Sequence, residues 1–237
     1  MRKNLFPVCA PVLAVLLSPI AALLAPDAAR AAYVQYDSRA AFNAVGPTIA
    51  VDWDVFGPDG TLILTPDQRI VSGLTIGVAS SQGLLQRADE GASYTGSFAP
   101  GDHLLTDAGS QSDTFIVRFG TPVSGFGAQI DAHYQIGPFT GFVELFSVTD
   151  MPLFTANFSG TSSNAQDDSA PFVGVVSEVA DISYARFFVD QPGPLQPAGA
   201  LAINRLDVLV AVPEPLGLAL AASGLAGMAW LRRRRSV

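Results

Sequence analysis

Between Tyr33 and Val210 the chain never assembles the ~18 consecutive apolar residues that a membrane-spanning helix needs. It is cut instead into short β-rich runs separated by clusters of Gly, Pro, Asp and Ser. Candidate strands are Thr61 to Leu64, Leu74 to Ala79, Gly83 to Gln86, His103 to Leu105, Thr114 to Phe119, Val123 to Ile136, Gly141 to Val148, Leu153 to Phe158, Phe172 to Val176, Ile182 to Val189 and Leu201 to Val210. So many short strands predict an all-β fold, an antiparallel β-sandwich whose two sheets bury alternate residues against each other. The 22 glycines and 17 prolines supply the turns such a fold requires. No repeat period emerges, which argues against a propeller or a solenoid.

One short helix is expected at the start of this region. Asp37 or Ser38 can cap it, Ala40, Ala41, Phe42 and Ala44 favour it, and Gly46-Pro47 stop it. The next segment, Thr48 to Val55, alternates Val51, Trp53 and Val55 with Asp52 and Asp54, the period of a strand with one carboxylate face.

Both ends read as address. Met1 to Ala32 has the parts of a secretory signal peptide: Arg2 and Lys3, an apolar Leu5 to Leu24, and the small-x-small pattern Ala29-Arg30-Ala31. Cleavage is expected after Ala31 or Ala32. Residues 211–237 hold Val212-Pro213-Glu214-Pro215, the uncharged run Leu216 to Leu231, and the basic cluster Arg232, Arg233, Arg234 and Arg235. The two prolines keep Pro213 to Pro215 out of any helix. As a helix the apolar run would reach about 24 Å, short of the ~30 Å hydrocarbon core, so this C-terminal transmembrane helix suits temporary anchoring. The arginines would hold its end on the cytoplasmic side.

Composition matters chiefly through its distribution. The whole chain carries a formal charge of -8. Seven of the 13 basic residues lie in the two ends, which leaves six arginines and no lysine against nineteen acids in residues 33–212, a balance of -13. Such a surface repels nucleic acid and anionic lipid. The single cysteine, Cys9, lies in the leader, so the secreted domain expected over 33–210 has no disulfide, no thiolate nucleophile and no cysteine metal site.

The order Val-Pro-Glu-Pro, short apolar segment, basic cluster resembles the PEP-CTERM sorting signal of Gram-negative bacteria. The resemblance implies recognition at Val212, Pro213, Glu214 and Pro215 by an exosortase, a membrane-embedded cysteine transpeptidase that cuts near the motif and passes the protein outward. The segments Thr114 to Phe119, Pro122 to Ile130, Phe172 to Val176 and Ile182 to Val189 are similar to the jelly-roll-like domain common among exosortase-sorted proteins, as is the opening Ala41-Phe42 followed by Val51-Asp52-Trp53. Where that domain often carries Gly-Ile-Asp-Asn, this chain has Leu201-Ala202-Ile203-Asn204-Arg205-Leu206-Asp207, a departure that bears on any calcium or ligand role placed there.

Within the domain, Gln129, Asp131, His133 and Gln135 recur at every second residue and form a polar stripe on one strand face. Amides, a carboxylate and an imidazole suit sugar hydroxyls, and Asp131 with His133 could ligate a metal. The plainer reading is the wet side of a sheet. Asp52 and Asp54 could serve as glycosidase carboxylates, alone or with Glu144, or as calcium ligands; exposed aspartates equally need no role. Asp102, His103 and Asp107, and Asn164 with Asp167 and Asp168, are oxygen-rich loops without the spacing of a known calcium loop. Two histidines and no available cysteine fall short of the usual three or four nitrogen and sulfur ligands of a zinc site. Tyr94, Phe98, Phe139, Phe142 and Phe154 lie beside turns, where they could stack on sugars or simply pack. The sum is a secreted, non-enzymatic envelope or extracellular-matrix protein associated with exopolysaccharide or biofilm, needing no cofactor. Its expected partners are an exosortase, extracellular polysaccharide and, transiently, the inner membrane. A carbohydrate- or Ca²⁺-binding module is the alternative, and a glycoside hydrolase comes last.

Overall fold

The computed structural model describes residues 31–107, 114–132, 136–190 and 201–210. Among them the chain forms two antiparallel sheets and almost no helix. The expected short helix is α1 (Arg39–Asn43), and the Ser38 side chain caps it by accepting from the Ala41 N–H. It follows β1 (Tyr33–Tyr36), a strand that the punctuation of the sequence did not announce.

The strand predicted over Thr48 to Val55 stops early. β2 covers Thr48–Val51, and Asp52 then caps a short 3-10 helix, Trp53–Phe56, by accepting from the Asp54 N–H at 3.3 Å. Alternation over four residues also fits a tight helical turn with Trp53 and Phe56 buried, and the Asp52 cap decides between the two.

The chain continues through β3 (Leu62–Leu64), β4 (Asp67–Val71), β5 (Leu74–Ser80), β6 (Leu84–Asp89) and β7 (His103–Thr106). Next come β8 (Phe115–Val123), β9 (Gly125–Ala132), β10 (Gly137–Phe146) and β11 (Pro152–Ser162), then β12 (Phe172–Ser177) and β13 (Ile182–Asp190). The predicted strand Leu201 to Val210 is two strands, β14 (Leu201–Ile203) and β15 (Leu206–Leu209). Likewise the long strand expected from Val123 to Ile136 is β9, which ends at Ala132, and Gly137 already opens β10.

One sheet runs β1-β12-β9-β14-β7-β6-β3, with β15 also pairing β9 and carrying β2; the other runs β11-β10-β13-β8-β5-β4. Their inner faces share one core. Phe126 of β9 meets Phe119 of β8 at 5.8 Å and Phe187 of β13 at 5.7 Å between ring centroids. Around them pack Val117, Val143, Leu145 and Ala185 from one sheet and Ala128, Ile130, Val175, Ile203 and Val208 from the other. This is the packing of an all-β sandwich, built without a disulfide from alternate apolar residues.

β14 and β15 lie end to end along the same edge of β9, with Ile203 opposite Ile130 and Asp207 opposite Gly127. Between them, Asn204 and Arg205 break the ladder. One half of the sheet then continues through β7, and the other turns to β2.

No described helix is long and apolar enough to cross a membrane. The leader to Arg30 and the tail from Ala211, including Val212 to Pro215 and Arg232 to Arg235, lie outside the described residues. So do His133 and Gln135.

Phe126→Ala should cost about 3–5 kcal/mol through lost burial and a residual cavity. Ile70→Ala, at 75% exposure on β4, should stay within about 0.5 kcal/mol. Urea melts of the two variants check the contrast.

Candidate functional site

Of the polar stripe predicted on this strand, Gln129 and Asp131 lie on β9 and face away from the sandwich core, since Ile130 and Ala132 point inward with the core cluster. It is not wet. Gln129 is 8% exposed and Asp131 fully buried, because two loops, residues 90–102 and 163–171, fold over that face of the sheet. Beneath them Ala88, Tyr94, Phe98, Leu104, Ala170 and Ala202 make a second small apolar cluster. Tyr94 and Phe98 are therefore packing residues, as is Phe139 in the main core, while Phe142 and Phe154 are half-buried.

Asn204 is the centre of the polar layer. Its side-chain amide donates to Asp102 Oδ2 at 2.7 Å and to Gln129 Oε1 at 2.9 Å, and its carbonyl oxygen accepts from Arg39 Nη2 at 3.2 Å. Its backbone N–H donates to the Gln129 carbonyl at 3.1 Å, and its backbone carbonyl accepts from the buried Trp53 indole at 2.9 Å. Gln129 in turn donates to Asp168 Oδ1 at 2.7 Å and to the Ala170 carbonyl at 3.3 Å. Arg39 completes the layer with an ion pair to buried Asp207 at 2.9 Å, which Arg205 also approaches. These residues hold helix α1, the sheet break and both loops together. Their side-chain capacity is largely used within the protein, which makes the network structural.

Next to it lies a less comfortable arrangement. Glu90 is 2% exposed and Asp131 is fully buried. Glu90 Oε1 accepts from the Gly96 N–H, and Asp131 Oδ2 from the Ser97 N–H, both at 2.9 Å. Glu90 Oε2 and Asp131 Oδ1 have no hydrogen-bond partner. The Ser162 hydroxyl beside Asp131 already donates to the Ala132 carbonyl at 2.7 Å. Burial pushes both carboxyls above the usual carboxylate range, and each is raised or held there against the backbone hydrogen bonds; for Glu90 the neighbouring Asp131 and Asp102 add to the shift. Burial likewise raises Asp102, with Asp168 contributing. The Gly96-Ser97 segment that holds the pair also ties the two loops, through Gln166 N–H to the Gly96 carbonyl at 3.0 Å and Ala170 N–H to the Ser97 carbonyl at 2.9 Å.

A third group lies where the 3-10 helix meets β7. Asp52, Asp54 and His103 bring their ligand atoms within 4.8 Å of one another. His103 Nδ1 sits 2.7 Å from Asp52 Oδ1, and its Nε2 lies 3.8 Å from Asp89 Oδ1. Two carboxylates and an imidazole could hold a divalent cation, although the imidazole nitrogen nearest Asp52 is already in contact with that carboxylate. The sequence placed His103 with Asp102 and Asp107; the structure pairs it with Asp52 instead. Asp102 belongs to the Asn204 network, and Asp107 is buried at the end of β7. Asn164 and Asp167 are exposed on the covering loop. Glu144 forms an ion pair with Arg186 on the other sheet, so it shares no site with Asp52 and Asp54.

No family model and no curated protein matches this chain. Among solved structures, a DUF4465 family protein from Bacteroides caccae is similar, with a TM-score of 0.41 and 7% sequence identity over 69% of this chain and 98% of that one. A likeness at that level carries no inference about family or function.

For acids whose folded pKa is raised, the folded state holds more protons than the unfolded one. The stability attributable to Glu90 and Asp131 is therefore fully present below the unfolded value of about 4 and is lost as pH rises through the folded values. Glu90→Gln or Asp131→Asn should flatten the loss of Tm that sets in as pH rises above the unfolded carboxylate value of about 4. Thermal melts across that range check it.

Proposed function

We propose that the chain is an exported, exosortase-sorted, non-enzymatic protein of the cell envelope or extracellular matrix, with a jelly-roll-like sandwich as its mature domain. The observation that carries this reading is the order of the C-terminal elements, Val212-Pro213-Glu214-Pro215, the apolar Leu216 to Leu231 and Arg232 to Arg235. Cleavable-leader features at Met1 to Ala32 and a cysteine-free, acidic domain agree with it. In this account an N-terminal signal helix is removed on export. The C-terminal helix anchors the protein in the inner membrane until an exosortase reads the Pro-Glu-Pro segment. The domain then works outside the cell, in contact with extracellular polysaccharide and without a cofactor.

A second reading, a Ca²⁺-binding module, is favoured by the Asp52, Asp54 and His103 group. It is compatible with the first, because an extracellular domain meets calcium at concentrations that weak oxygen sites can use.

Replacing Glu214 by Ala, or deleting Arg232 to Arg235, should leave full-length precursor in the inner-membrane fraction, as read by fractionation and immunoblotting. Normal maturation and release of both variants would contradict the sorting account.

A further inference from the structure

Among the described residues, no loop folds over the outer face of the β11-β10-β13-β8-β5-β4 sheet as two loops do over the other sheet. Strand register places Phe146, Tyr184, Arg118 and Gly77 side by side in one row across β10, β13, β8 and β5. Strands lie about 4.8 Å apart, close to the stacking distance of flat groups, and the row uses the coincidence. Phe146 and Tyr184 stack at 4.6 Å with 7° between their planes, and the Arg118 guanidinium lies over the Tyr184 ring at 4.3 Å. A parallel row stacks Phe142 on Phe188 at 4.8 Å. The next position after Arg118 is Gly77, which has no side chain, so the ladder of planar groups stops with one guanidinium face bare.

At that point the surface opens into a trench of about 380 Å³, bordered by Arg118, Gly77, Thr75, Gln68, Asp67 and Gly120. This is within the range of about 300–1,000 Å³ usual for small-ligand sites. Arg118 is exposed, and it is the one arginine among the described residues whose guanidinium makes neither a hydrogen bond nor an ion pair. In a domain so rich in acids, an unpaired cation held in place by stacking is a site for an anion from elsewhere. Asp67 on the opposite wall is already paired with Arg69 at 2.6 Å.

We propose that this trench binds a carboxylate-bearing sugar within a mostly neutral glycan chain. The guanidinium fork matches a carboxylate with two parallel hydrogen bonds. The bare stacking face and the glycine floor accept the flat side of a sugar ring, and Gln68 and Thr75 offer partners to its hydroxyls. The balance of -13 over residues 33–212 opposes a polyanion, whereas a single carboxylate needs only the local field within the ~8 Å screening length. The choice of a glycan rests on the export reading; the carboxylate chemistry does not.

The test uses the purified full chain in detergent, so it is independent of sorting in the cell. Three probes are titrated by calorimetry: a xylo-oligosaccharide bearing one glucuronate, the same oligosaccharide without it, and polygalacturonate. The uronate-bearing probe should bind best, and Arg118→Ala should weaken it by about ten- to hundredfold, the loss expected for a hydrogen bond to a charged group. Arg118→Lys should recover only part of this. Gly77→Ala should narrow the trench and weaken binding without lowering Tm, because a Cβ there meets its nearest atom, the Arg118 Cβ, at an ordinary 3.5 Å. Equal binding of the neutral probe, tightest binding of polygalacturonate, or an unchanged affinity in Arg118→Ala would overturn the proposal. So would the absence of saccharide binding together with an Arg118-dependent dimer, which would assign the trench to a second copy of the chain.

Discussion

The fold turns on the interruption at Asn204. A continuous last strand would extend the ladder beside β9 in one direction. Two residues between β14 and β15 instead send one half of the sheet toward β7 and the other toward β2. A break in a buried sheet exposes backbone and side-chain polar groups to an apolar surrounding, and each one left unpaired costs about 1–3 kcal/mol. Here the Trp53 indole, Gln129, Asp102 and Arg39 supply the partners. The same contacts recruit helix α1, the 3-10 helix and the covering loops, so satisfying one break organises much of that side of the molecule.

This arrangement leaves the two sides of the sandwich with different characters. One is sealed by loops 90–102 and 163–171 over buried acids whose charges are opposed by desolvation. The other is a broad β-surface patterned with stacked rings, arginines and Glu144. On the covered face, burial raises the carboxyls of Glu90 and Asp131 above the usual range.

Local chemistry was legible in the sequence wherever a single residue decides the backbone. Ser38 and Gly46-Pro47 bracket helix α1 as expected, and the β-branched runs mark most strands within a few residues. The edge strands β1 and β4 escaped notice because they mix polar and apolar residues and bury little; Ile70 of β4 is largely exposed. Alternation correctly put Gln129 and Asp131 on the face opposite Ile130, but their burial comes from loops that contact them from 34 residues away at Ser97 and 39 residues away at Asp168, which no local pattern encodes. The split at Asn204 was hidden for the same reason: its partners come from β9, α1 and two other segments. Nothing local sets Arg118 apart within the strand Thr114 to Phe119, and only the register of the strands places it between Tyr184 and Gly77.

The central claim is that the two ends are addresses and the sandwich is the working part. Intact-mass analysis of the protein recovered from outside the inner membrane tests it most directly. The account predicts a mass whose N-terminus begins after Ala31 or Ala32 and whose C-terminus lies near Pro213 to Pro215, without Leu216 to Arg235. A protein recovered only in the inner membrane, with the apolar run and Arg232 to Arg235 still attached, would contradict it.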